Sequence, residues 1–127
     1  MWKRTKSKYG AKNISVDEYS FASQLEAALY GQLKLEKQVG LWSELKTQVR
    51  VPLGPAKIVY IADFMVVDAK MGQVIYVESK GFETQVWRIK RKLWIAHETH
   101  ELRIYKGYAK RLVLTETIHP GGAGNQK

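Results

Sequence analysis

The chain contains no cysteine, which removes disulfide frameworks and thiolate zinc centres together. It has no apolar run near the ~20 residues that a membrane span needs. Its opening stretch, MWKRTKSKYGAKN, lacks the apolar segment of a secretory signal. A soluble protein of the cytoplasm is therefore the expectation. No GxSxG and no Gly-rich loop ahead of a helix is present, so a hydrolase triad and a nucleotide kinase have no footing. The nearest approach to a zinc motif, AHETHE at 96–101, is not HExxH, and a helix end accounts for His97 and His100. Acids are scarce as well: 12 stand against 21 basic residues, giving a formal charge of +9. That imbalance favours a polyanionic partner.

What is present suits one globular domain, since 127 residues at 45% hydrophobic can build a single modest core. The cations fall in two groups. Lys3, Arg4, Lys6, Lys8 and Lys12 form an arm without acids, and Arg88, Lys90, Arg91 and Lys92 form a second cluster. Each is either a nucleic-acid contact or solvated surface charge. Residues 1–12 read as a flexible basic arm, 13–118 as the folded domain and 119–127 as a loose tail, because neither end shows apolar periodicity.

Within the domain, Ile14, Val16, Tyr19 and Phe21 around Asp17-Glu18 predict a short hairpin. Ser23 stands three residues before Glu26, a capping-box spacing, and opens a helix running to about Gln38 with Leu25, Ala28, Leu29 and Leu35 on one face. Gly40 stops it. Strands are expected at 45–53, 57–67 and 73–79, the last two joined as a hairpin by DAKMGQ. A second helix spans about 84–98 with Val86, Ile89, Leu93 and Ala96 on one side, and strands at 102–105 and 112–118 close the domain. The fold class is α/β, a mixed β-sheet flanked by helices. Trp87 and Trp94 lie on a helix-2 face roughly opposite Ile89 and Leu93, as core, as a subunit contact or as a stacking surface for nucleic acid.

Asp63 interrupts an apolar strand, and Glu78 and Lys80, two apart on the partner strand, project to one side of the sheet. A hairpin with a short loop sets Asp63 beside Glu78. An exposed cross-strand salt bridge to Lys80 is one reading, worth little in energy. The other starts from the unfavourable burial of carboxylates among Ile61, Phe64, Val66 and Ile75 without a compensating cation. Two neighbouring carboxylates with hard oxygen donors suit Mg2+, with Mn2+ as a substitute. The cationic helix that follows then suggests phosphodiester chemistry.

Asp63 followed by Glu78-Ser79-Lys80, with Glu26 on a preceding helix, resembles the PD-(D/E)xK nuclease superfamily. KYGAKN, FASQLEA, the DF of YIADF, VESKG and ET..WRIKRKL, in that order over about residues 8–94, resemble more closely a small phage and prophage family, domain of unknown function 1064. That family is similar to phage Holliday-junction resolvases. The strand motif here reads Ala62-Asp63 in place of Pro-Asp.

The resemblance implies a restriction-endonuclease-like core of helix, three strands, helix and strand. It implies that Asp63, Glu78, the Ser79 backbone carbonyl and Glu26 hold the metal, and that Lys80 orients or activates the attacking water. Glu26 also reads as a mere capping partner of Ser23, although helical geometry sets it on the edge of the apolar stripe. Gln48 falls where the family tends to place a polar strand residue; a solvent-facing glutamine explains it equally well. The implied activity is that of a metal-dependent endonuclease acting on branched DNA as a homodimer, with the Trp87/Trp94 face and the N-terminal hairpin as candidate contacts. A nuclease for flap or linear DNA and a non-catalytic DNA-binding module remain the alternatives.

Overall fold

The short apolar stretches on either side of Asp17-Glu18 form a hairpin, β1 (Ile14–Val16) and β2 (Tyr19–Phe21). Both turn residues have positive φ, 51° and 72°, as a two-residue turn between twisted strands requires. The computed structural model describes residues 13–81, 83–108 and 110–119; the basic arm (Lys3, Arg4, Lys6, Lys8 and Lys12) and residues 120–127 lie outside them.

Helix α1 (Gln24–Gln38) begins as its capping spacing predicts, with Ser23 Oγ accepting from Glu26 N at 3.0 Å. Its inner face differs from expectation. Glu26, Leu29, Tyr30 and Leu33 are buried, whereas Leu35 is 64% exposed. The helix is turned so that Tyr30 packs against Phe21 and Phe64, with ring centroids 5.1 and 6.2 Å away. Aromatic contact area outweighs a leucine here.

Five strands follow in one sheet: β3 (Trp42–Leu53), β4 (Ile58–Asp68), β5 (Val74–Ser79), β6 (Glu101–Tyr108) and β7 (Arg111–Ile118), in that spatial order. All neighbours are antiparallel except β5 and β6, which are parallel. The parallel pair needs a crossover, supplied by α2 (Gln85–His97). The expected sequence of helix, three strands, helix and strand is thus present, consistent with a restriction-endonuclease-like α/β fold.

Helix α2 is capped by Thr84, whose Oγ1 accepts from Trp87 N at 3.0 Å. The face proposed from Val86, Ile89, Leu93 and Ala96 is corrected by the structure. Trp87 and Trp94 are buried, Val86 and Ile89 are exposed, and only Leu93 of that set packs against the core. Each tryptophan removes more apolar area from water than a valine or isoleucine would. The Trp87/Trp94 face is therefore core and is not available as a subunit contact or stacking surface.

Two clusters fill the interior. One joins α1 to Phe64, Val66, Ile75 and Val77; the other joins α2 to Val51, Tyr60, Ala62, Leu102 and Ile104. Alternate residues of a regular strand share a face, yet Tyr60 and Ala62 of β4 pack in the α2 cluster while Phe64 and Val66 pack in the α1 cluster. The change of face falls at Asp63. Across from it, between the pairs Thr47↔Phe64 and Val49↔Ala62, Gln48 of β3 takes a left-handed φ of 53°. This irregular point is where both helices' territories meet.

Candidate active site

The β4–β5 ladder runs from Val67↔Val74 to Phe64↔Val77 and ends there. One step further the main chains no longer pair with each other, and side chains take over. Asp63 N donates to Glu78 Oε1 at 3.1 Å, and Ser79 N donates to Asp63 Oδ2 at 2.9 Å. Ser79 Oγ also donates to Asp63 Oδ2, at 2.9 Å. Each acid thus accepts the other strand's amide, so the fork between the strands is clasped by two carboxylates. Backbone donors near the interior must find acceptors, and here ionisable groups supply them.

Lys80 completes the group. Its amide donates to Tyr105 O at 2.9 Å, which fixes the end of β5 against β6. Its Nζ lies 3.4 Å from Glu78 Oε2 and 5.3 Å from the centroid of the Trp87 ring. Trp87 Nε1 donates in turn to Tyr60 Oη at 3.2 Å. Tyr60 and Trp87 were not legible as site residues, because their role depends on how α2 packs over the sheet. The Ser79 carbonyl sits between the anchored Ser79 and Lys80 amides.

Glu26 comes to the same point from α1. It is buried, and Gln48 Nε2 donates to its Oε2 at 3.0 Å. The backbone of Glu26 serves the helix start through Ser23, while its carboxylate accepts from the Ala22 amide and lies near enough to Asp63 to feel its charge. Gln48 does not merely face solvent, and its left-handed backbone is what turns it toward α1.

Electrostatics mark the three acids. Burial, reinforced by the charge of Asp63, pushes Glu78 up to about 8, against the opposing pull of Lys80. Burial and then Asp63 push Glu26 up to about 7. Asp63 is raised as well, by burial, while its bonds from Ser79 and the charge of Lys80 oppose the rise. Tyr60 is raised by burial first and next by the charge of Glu78. Such displaced carboxylates in one place are typical of functional sites.

Among the described residues no three His, Asp or Glu side chains converge closely enough to hold a metal ion. Their oxygens are engaged within the protein: Glu78 accepts from Asp63 N and pairs with Lys80, and Glu26 accepts from Gln48. The donor chemistry nonetheless fits a hard divalent cation. Asp63 repels both other acids, and such a cation would reverse the sign of that interaction.

A cleft of about 240 Å3 opens onto Glu78 and Lys80 and is also lined by Lys90. The predicted cationic cluster of α2 is divided by the structure. Lys90 joins this cleft and donates to Val59 O at 3.2 Å. Arg88, Arg91 and Lys92 line a separate cavity with Glu83 and Glu116. There Arg88 lies 3.8 Å from Glu83, and Arg91 is ion-paired with Glu116. His97 ends α2 against Gly54, and His100 Nδ1 contacts Glu98 at 2.7 Å.

No curated protein and no solved structure matches the chain. The motifs that build the fork do have a family, however. FASQLEA with Glu26, YIADF with Asp63, VESKG with Glu78 and Lys80, and the α2 stretch WRIKRKL all fall within residues 6–113, which match the model described as Protein of unknown function (DUF1064), and the chain belongs to that family.

Proposed function

We propose that the protein is a metal-dependent endodeoxyribonuclease that hydrolyses phosphodiester bonds in branched DNA, as a Holliday-junction resolvase of phage type. The observation that carries the reading is the clasped fork: half-buried Asp63 and buried Glu78, both with raised proton affinity, a third acid, Glu26, near Asp63, and one lysine beside Glu78. Asp63, Glu78, the Ser79 carbonyl and Glu26 would hold Mg2+, or Mn2+ in its place. When bound, the ion supplies Lewis acidity toward a phosphate oxygen and a water of lowered pKa.

The chain's own residues do the rest. Lys80 presents its ammonium beside Glu78, where negative charge grows on the phosphate as the bond to the leaving oxygen breaks. Tyr60 and Trp87 hold Glu78 and Lys80 in place from behind. Gln48 keeps Glu26 turned toward the fork. Lys90 meets the backbone within the same cleft, and the basic arm and the other α2 cations add phosphate contacts that every DNA sequence offers. Two nicks of like polarity need two sites, which a two-fold homodimer provides.

One gel tests the reading: labelled four-way junction, flap and linear duplex, each with magnesium and with EDTA. Cleavage of the junction in magnesium alone, lost in Asp63→Asn and Lys80→Ala with binding retained, is the expected result. Full cleavage by either variant would remove the site. Preference for flap or linear DNA would favour a repair- or restriction-type nuclease, and binding without any cleavage a non-catalytic module.

A further inference from the structure

The cleft that holds Glu78, Lys80 and Lys90 has a second wall that the chemistry above does not use. Ile61 and Val86 line it, with Thr84 between the strand end and α2. Both aliphatic side chains are open to solvent, Ile61 at 49% and Val86 at 61%. Ile61 stands two residues from Asp63 on β4, and Val86 lies in the first turn of α2 next to Trp87. Ile58 and Ile89, on the same two elements, are exposed as well.

We infer that this wall is a docking surface for an unstacked nucleobase adjoining the scissile phosphate, and that it selects DNA whose stacking is interrupted. The inference rests on the nuclease reading of the fork. Charge complementarity identifies the occupant: Lys80 and Lys90 on the same cleft, in a chain of net charge +9, draw a polyanion rather than an apolar partner. A phosphate bound there brings its own base against the aliphatic wall. Ile61 and Val86 carry no side-chain hydrogen-bond donor or acceptor, so they cannot read the hydrogen-bonding pattern of base edges. They can cover a base face, and a face is open only where the stack is broken, as at a branch point. Aliphatic wedges at disrupted base steps are a known device of DNA-bending proteins. The surface therefore discriminates shape, not sequence.

The test is binding in EDTA, with a four-way junction and a linear duplex of the same sequence, each carrying 2-aminopurine at the branch position or its linear equivalent. The wild type is expected to favour the junction and to change the probe's fluorescence there. The Ile61→Ser/Val86→Ser variant, with melting temperature checked, is expected to lose about tenfold of that preference and the fluorescence change. A parallel fall on both DNAs, an unchanged preference, or a wild type with none would overturn the inference. So would sedimentation showing that the variant alone is monomeric, since that would give the patch to a second copy of the chain. Because no metal is present, these outcomes are independent of cleavage: a failure of the nuclease reading shows in the magnesium gel, and a failure of the docking surface shows here.

Discussion

Glu26 and Glu78 hold protons more tightly in the folded chain than an unfolded carboxylate does, with values of about 7 and about 8 against 4.5. The sign follows from linkage: where the native state binds more protons than the unfolded state, stability falls as pH rises. Their stabilising contribution is complete below the ordinary carboxylate value and is lost as pH climbs through the folded values. The melting temperature in EDTA should therefore fall from about pH 5 to about pH 8.5, and Asp63→Asn should flatten the decline by removing the repulsion. Magnesium should raise the melting temperature more at the alkaline end, where it does not compete with protons. A flat profile for the wild type would mean the acids are solvated. Asp63, Glu78 and Lys80 were legible because strand alternation and hairpin length fix who stands beside whom. The Gln48 contact was only half legible: a polar residue in β3 is visible in the sequence, but the left-handed backbone that turns it toward Glu26 is not. Tyr60 and Trp87 left no signal of their role, since spacing does not say which helix face meets the sheet.

At the scale of elements, the caps and breakers spoke most clearly. Ser23, Thr84, Gly40 and the turn around Gly72 end or begin elements within a residue or two of expectation. The faces of both helices were harder to read, for one physical reason: each buries its largest aromatic side chains, while medium-sized aliphatics on the neighbouring stripe stay in water. Trp94 is fully buried between Tyr60 and Tyr76, with centroids at 5.4 and 5.3 Å, and its Nε1 donates to His100 O at 2.8 Å. Trp94→Ala should cost about 3–5 kcal/mol in denaturant unfolding. Ile89→Ala, on the face that periodicity favoured, should stay within about 0.5 kcal/mol. Equal effects would restore the aliphatic face as the inner one. Strand β4 carried a hidden irregularity too, because a change of face at Asp63 leaves the apolar alternation of its sequence intact.

For the molecule as a whole, the proposed DNA binding should respond to salt through the cations that meet phosphate. On duplex DNA each lost phosphate contact should lower the log–log slope by about 0.9. Neutralising Lys90 and Lys92 should flatten the slope more than neutralising Arg88 and Arg91, which Glu83 and Glu116 already partner. Filter binding across a salt series checks this, and identical slopes for both variants and the wild type would make all four charges surface decoration. The clasped fork also bears on what folding alone would favour at position 63. An asparagine at 63 could accept the same Ser79 amide hydrogen through its carbonyl oxygen, without repelling Glu26 and Glu78. By that repulsion, folding favours the amide over the acid at 63. The chain carries instead an acid whose charge raises the proton affinity of both its neighbours, a local conflict of the kind found where a fold departs from what its own stability favours.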